Sequence, residues 1–118
     1  MHELSIAAAI LDAVRSEADK RPGAHVTKVG VRIGELSGVD PAALSFGWEV
    51  LVKDTVMEGL SLEIDYRKRV QRCTACAREF ETNMLFSACP GCGHNRTVLI
   101  SGDELDITFI ELEDPACV

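Results

Sequence analysis

Four cysteines in two matched pairs are the residues of this chain with the clearest chemistry. They form two C-x2-C pairs separated by twelve residues, namely Cys73, Cys76, Cys89 and Cys92. Each pair places two thiolates in one short turn, and two such turns facing each other make a closed tetrahedral set of four sulfurs, as in structural zinc sites. Two disulfides, a redox-active pair or a chance spacing are the alternatives. Two matched pairs are more specific than one, so the spacing favours zinc.

The first residues of the chain offer a second metal-binding chemistry. Methionine aminopeptidase favours small second residues, so Met1 before His2 is expected to be retained. The α-amine, an amide nitrogen and the His2 imidazole can then close fused chelate rings, and such nitrogen-rich, near-planar ligand sets favour Ni(II) or Cu(II) over zinc. The alternatives to metal binding are ordinary structural roles. His2 would be an exposed histidine at a helix start, and Glu3 an acidic residue that complements the helix dipole.

Composition and length describe a small folded protein. The chain has 118 residues and is 47% hydrophobic, which fits one domain, or a small domain with an insert that a bound metal stabilises. No apolar run approaches the roughly 18–20 residues that span a bilayer, and the start lacks the basic region of a secretory signal. The sequence therefore predicts a cytoplasmic protein without membrane contact, where thiols stay reduced. Cys117, near the C-terminus, is expected to be an exposed free thiol.

The charge is unevenly distributed and leaves a second class of function open. The net charge is −7, but residues 67–96 carry +4 and the rest of the chain −11. A basic cysteine module could be an adapter that binds nucleic acid or an acidic protein through its basic residues. The strongly acidic remainder argues against nucleic acid as the main target. The basic residues closest to the module's start are Arg67, Lys68, Arg69 and Arg72.

Two amphipathic helices and three alternating strands surround the cysteines. Apolar residues recur at helical spacing from residue 3 to about 20, and Asp40-Pro41 is typical of an N-cap followed by proline at the first helical position. Period-two alternation predicts strands at about 28–33, 60–66 and 104–112. We expect the second helix to bury Leu44, Phe46, Trp48, Leu51 and Val52, and the last strand to alternate Leu105, Ile107 and Phe109 against Asp106 and Thr108.

This order of elements predicts an α+β fold. Two helices cover one small three-stranded sheet, and a zinc-ribbon module is inserted between two of its strands. Because strands 60–66 and 104–112 flank the insert, we expect them to pair. The predicted domains are a nickel-binding unit of residues 1–68 plus 100–118 and a ribbon of residues 69–99.

Four short motifs, in order, resemble one protein family along nearly the whole chain. They are residues 1–5 (MHELS), residues 31–39 (VRIGELSGV), the two cysteine pairs, and residues 101–105 (SGDEL). Together they are similar to the HypA/HybF-type hydrogenase nickel-insertion proteins, which are small metallochaperones for [NiFe] hydrogenase.

The resemblance implies a function and its ligands. Nickel would be transient cargo, bound by the His2 side chain with help from the Met1 amine and nearby backbone nitrogens, including that of Glu3. Zinc would be structural and held by the four cysteines. The implied partners are a nickel-handling accessory GTPase and the hydrogenase large subunit.

Other polar residues are weaker candidates for a role at a metal site. His94 could replace a thiolate, and Asp40 could orient His2 through a hydrogen bond, although a plain cap is the simpler role. His25 is expected at the surface. The chain has no G-x-x-x-x-G-K-[ST] loop and a four-sulfur zinc has no open position for water, so we predict that it is not an enzyme.

Overall fold

The computed structural model describes residues 2–82 and 88–113, except for the side chain of His2. Helix α1 spans His2–Asp19, strand β1 spans His25–Gly34, and helix α2 spans Pro41–Val52. Five further strands follow: β2 (Ser61–Arg67), β3 (Val70–Cys73), β4 (Glu79–Glu81), β5 (Thr97–Ser101) and β6 (Leu105–Glu113). No helix in these ranges is long and apolar enough to cross a membrane.

The expected fold is confirmed: two helices lie on a three-stranded sheet, and a second small sheet that carries the cysteines is inserted before the last strand. The first sheet has the order β2-β1-β6, and the second has the order β4-β3-β5. Both helices pack on the first sheet around a core in which Val14, Val29, Ile33 and Leu44 are completely buried.

The expected pairing of the two strands that flank the insert is wrong. β1 lies in the centre, parallel to β2 and antiparallel to β6, so β2 and β6 are the two edges. Parallel neighbours need a long crossover, and α2 provides it between β1 and β2. β1 also has the most apolar inner face, with Val29, Val31 and Ile33 buried. In the central position, β2 and β6 flank β1 on both edges and help to bury these side chains.

Helix α2 begins and packs largely as expected. The Asp40 carboxylate accepts a hydrogen bond from the Ala42 amide at 3.0 Å, which confirms the cap. Trp48 is buried, and its indole N–H donates to the carbonyl of Leu60 at 3.1 Å. The expected burial of Phe46 is wrong, because this residue is 68% exposed. Gly47 is buried instead, where α2 comes close to Leu4 of α1.

A bulge in β6 changes which residues face the helices. Gly30 pairs with Phe109 and Val31 with Ile107, so Thr108 is an extra residue. Leu105 and Ile107 therefore lie towards α1, whereas Phe109 covers Gly30 on the open face of the sheet. The single alternating face expected for Leu105, Ile107 and Phe109 is wrong at Phe109 for this reason.

The inserted sheet is joined to the first sheet by backbone hydrogen bonds. The amides of Gly34 and Leu36 donate to the carbonyls of Glu104 and Gly102, each at 2.7 Å. The Glu35 carboxylate accepts from the Arg69 amide at 2.8 Å. The segments 34–38 and 101–105, which stood out in the sequence, thus meet at one junction between the two sheets.

Gly34→Ala is expected to destabilise this junction, because a Cβ at Gly34 would overlap the carbonyl group of Gly102. We expect a loss of about 2–3 kcal/mol in the free energy of unfolding, measured by urea denaturation. Gly59→Ala is the matched control: Gly59 has a φ of 93° and open space around it, so its cost is about 1 kcal/mol of backbone strain alone. Equal losses for the two variants would contradict the close packing at Gly34.

Candidate metal centres

The structure brings the four predicted cysteines together. Their Sγ atoms all lie within 4.8 Å of one another, with 3.5 Å between Cys73 and Cys92 and 3.6 Å between Cys76 and Cys89. Disulfide sulfurs are about 2.05 Å apart, so these are four free thiols. Zn–S bonds of about 2.3 Å in a tetrahedron need sulfurs about 3.8 Å apart. The donor set and its spacing fit a tetrahedral zinc.

Backbone amides of each turn point at the first sulfur of its pair. The amides of Ala75 and Cys76 donate to the Cys73 sulfur at 3.3 and 3.5 Å, and the Gly91 amide donates to the Cys89 sulfur at 3.4 Å. Such bonds stabilise a thiolate and orient it towards a metal. The second turn thus presents the Gly91 amide to sulfur in the same way as the first turn presents those of Ala75 and Cys76.

The two turns have the same backbone geometry with different residues at the critical position. Ala77 and Gly93, each one residue beyond its pair, donate their amides to the carbonyls of Cys73 and Cys89 at 3.0 and 2.9 Å. Both residues adopt left-handed backbone angles, with φ of 65° and 77°. Glycine adopts this region freely, but alanine does so at a cost.

The thiols differ in acidity because the balance between backbone amides, neighbouring thiols and burial differs from one to the next. Amide hydrogen bonds, first from Cys92 and then from Gly91, lower the pKa of Cys89 to about 6 despite burial. The amides of Cys76 and Ala75 likewise lower the pKa of Cys73. At Cys92 the His94 amide lowers the pKa, but the neighbouring cysteines and burial outweigh it and raise the pKa to about 11. Four thiolates repel one another, and a bound dication would remove that repulsion.

Two residues near the cysteines act differently from what the sequence indicates. The metal-ligand group found among the described side chains does not include His94, whose carbonyl accepts a hydrogen bond from the Cys89 amide at 2.9 Å. Arg78, which sequence reasoning did not assign to the site, lies against the second turn: a Cβ on Gly91 would be 3.0 Å from its Nη1. Nothing in the residue spacing indicates this cation beside the thiolates.

At the start of the chain, the N-termini of α1 and α2 lie side by side. The Asp40 amide donates to a carboxylate oxygen of Glu3 at 3.4 Å, across 37 positions of sequence. The close contact between Gly47 and Leu4 allows this approach. Met1 and the His2 side chain, the other predicted nickel ligands, lie outside the described residues, as does Cys117. Asp40 is thus next to the predicted nickel segment, a proximity that the sequence could not reveal.

Comparison with known families agrees with this architecture. A family model described as "Hydrogenase/urease nickel incorporation, metallochaperone, hypA" matches residues 1–112. The chain belongs to the HypA family. It is 39% identical over 113 residues to the hydrogenase maturation factor HypA of Geobacter sp. strain M21, covering 96% of this chain and all of that protein. It is 35% identical, with the same coverage, to the hydrogenase maturation factor HybF of Klebsiella pneumoniae.

Solved structures share the fold of this HypA-family chain. The solution structure of the Ni metallochaperone HypA from Helicobacter pylori matches 95% of this chain and 97% of its own, with a TM-score of 0.60 at 23% identity. A second solution structure, of a HypA protein, covers 96% of this chain and 97% of its own, with a TM-score of 0.66 at 24% identity. Membership in the family rests on the sequence matches, and these structures add the shared fold.

The unequal residues in the two cysteine turns generate a prediction. Ala77→Gly should raise the stability of the inserted sheet by about 0.5–1 kcal/mol, because it relieves left-handed strain in the first turn. Gly93→Ala should lower it by about 1–2 kcal/mol, since the space around Gly93 is open and strain is its only cost. Thermal unfolding of the zinc-loaded variants measures both. The same sign of change in both variants would contradict the equivalence of the turns.

Proposed function

We propose that this HypA-family chain is a nickel carrier that binds Ni(II) at its N-terminus and delivers it to the large subunit of a [NiFe] hydrogenase. Nickel is its cargo, and the proposed ligands are the Met1 amine, the His2 imidazole and backbone nitrogens that include that of Glu3. The observation that carries the proposal is the start of α1 at His2, with Glu3 beside Asp40.

The physical support comes from the free amides of a helix start. The first four amides of a helix have no partner within the helix, so the amides of His2 and Glu3 can take part in chelation without loss of a helical hydrogen bond. The part of the chain outside residues 67–96 has a net charge of −11, which attracts a dication. A chelate with few side-chain ligands also suits a carrier, because its metal must leave again.

The four-cysteine centre has a different proposed role. We propose that it holds zinc and stabilises residues 69–99 as a separate ribbon domain beside a nickel domain of residues 1–68 and 100–118. Four sulfurs close a tetrahedral zinc and leave no position for water, so the centre has no hydrolytic chemistry to offer. The protein is therefore proposed to act as a carrier rather than an enzyme.

The proposed partners follow from what the chain lacks and what it carries. The sequence has no phosphate-binding loop of the Walker type, so energy from nucleotide hydrolysis would come from an accessory GTPase. The hydrogenase large subunit is the proposed recipient, because the relatives described above are named hydrogenase maturation factors. Loading and delivery would both take place in the cytoplasm.

The adapter alternative is less well supported by the contacts of its basic residues. Arg67 forms an ion pair with Asp65 at 3.0 Å, and Arg72 forms one with Glu79 at 2.8 Å. These neighbours already neutralise two of the four cations that would contact nucleic acid or an acidic protein. Strong salt-dependent binding to nucleic acid, unaffected by nickel, would favour the adapter.

His2→Ala is expected to weaken nickel binding by more than about ten-fold, because even indirect partners of a metal contribute 10–100-fold to affinity. One extra residue before Met1 should also weaken it, since the amine moves out of the chelate ring. Isothermal titration with Ni(II) measures both. His25→Ala is the control, because His25 is exposed at the start of β1. Unchanged nickel binding in the first two variants would refute the N-terminal site.

Cys73→Ser is expected to release zinc and loosen the inserted sheet while nickel binding at the N-terminus persists, because the helices pack on the first sheet. Metal analysis gives the zinc content, and amide exchange of β3 and β1 reports each sheet separately. Cys117→Ser is the matched control and should change neither. If Cys73→Ser abolished nickel affinity, the two centres would be coupled, contrary to their proposed independence.

A further inference from the structure

Strand β6 combines an open edge with two faces of different chemistry. In the described part of the chain it hydrogen-bonds to β1 alone, so its outer edge is available. Leu105 is 49% exposed, and Ile107 and Phe109 are each 38% exposed. Proteins usually protect such edges with lysine, proline or a covering element. Residues 97–113 contain neither lysine nor arginine nor proline.

The side of β6 that faces the helices borders an apolar groove. Ile6, Ala9 and Ile10 of α1 form one wall, and residues 105–107 of β6 form the other, with about 220 Å³ between them. Ile6 is one helical turn from His2, so the groove lies close to the start of α1. Aliphatic side chains from a strand added beside β6 would fit between these walls.

The opposite side of β6 is acidic. Alternation on either side of the bulge places Asp106, Glu111 and Glu113 on the open face, together with Phe109. None of the ion pairs between described residues involves these three carboxylates. In the register of the sheet they lie across from Arg32, Lys28 and His25 of β1, and Arg32 is bound to Asp65 instead. Their outer sides can pair with cations of a partner, and the exposed Phe109 ring adds a surface on which a cation can lie.

The other edge of the same sheet also carries acidic residues, but one of them is already paired. On β2, Asp65 is bound by Arg32 at 3.1 Å and by Arg67 at 3.0 Å, and these arginines lower the pKa of its carboxyl. A basic partner would have to compete with both guanidinium groups there. The charge arrangement therefore favours β6 over β2 as a docking edge.

We propose that β6 is a docking edge for an extended segment of a partner protein in which apolar and basic residues alternate. Backbone hydrogen bonds to the edge provide affinity; the apolar side chains enter the groove beside α1, and the basic ones face Asp106, Glu111 and Glu113. A second copy of this chain is a poor occupant, because its β6 would bring acidic residues against acidic residues. The proposal does not involve the nickel ligands, so it can fail while the nickel proposal stands.

An octapeptide of alternating valine and lysine is a direct probe, titrated into the zinc-loaded full chain without nickel. We expect a dissociation constant of about 10–500 μM that rises several-fold between 50 and 500 mM salt, because charge pairs contribute. Amide exchange should slow in residues 105–113 and stay unchanged in β2. A block peptide of four valines and four lysines, and an alternating valine–glutamate peptide, should bind at least ten-fold more weakly.

Paired charge reversals test which edge is used. Glu111→Lys on β6 should weaken the valine–lysine peptide at least five-fold, whereas Glu63→Lys, the same change on exposed β2, should alter its affinity less than two-fold. Ile107→Lys should also weaken binding by placing a charge in the groove. The proposal is overturned by no binding below 1 mM, by equal losses in Glu111→Lys and Glu63→Lys, by equal binding of the block peptide, or by a β6-mediated dimer of the chain itself.

Discussion

Two backbone hydrogen bonds at the end of β1 hold the two halves of this molecule together. The amides of Gly34 and Leu36 donate to the carbonyls of Glu104 and Gly102, and the Glu35 carboxylate binds the Arg69 amide. These contacts reach both chain segments that connect the inserted sheet to the first sheet, two of them at residues 102–104 and one at Arg69. Contacts to both connecting segments restrict how the inserted sheet can move relative to the first sheet.

The two candidate metal centres have opposite chemical characters. The cysteine centre is closed: four sulfurs lie within 4.8 Å, and backbone amides stabilise charge on the first cysteine of each pair. The start of α1 is more open, with helix amides that have no partner within the helix, a carboxylate at Glu3 and the capped start of α2 beside it. A closed site retains its metal and an open one exchanges it, which agrees with the proposed roles of structural zinc and transient nickel.

Local patterns were reliable guides to the elements of this fold. Periodicity located both helices and the three strands of the first sheet, and Asp40-Pro41 marked the start of α2 because capping depends only on neighbours in sequence. The pairing of β2 with β6 was wrong because nothing local says which strand will lie in the centre. Phe46 and Phe109 were placed on the wrong faces, since a close helix contact at Gly47 and a bulge at Thr108 shifted the pattern.

The sequence by itself determined the chemistry of the cysteine centre, because four thiols at this spacing have few other uses and short turns set their geometry locally. It also carried the family likeness, which depends on the order of short motifs. Only the tertiary structure brought Glu3 to Asp40, joined residues 34–38 to 101–105, and left β6 as an apolar and acidic edge. Each of these arises between residues far apart in the chain, and such contacts follow from the packing of whole elements rather than from any local pattern.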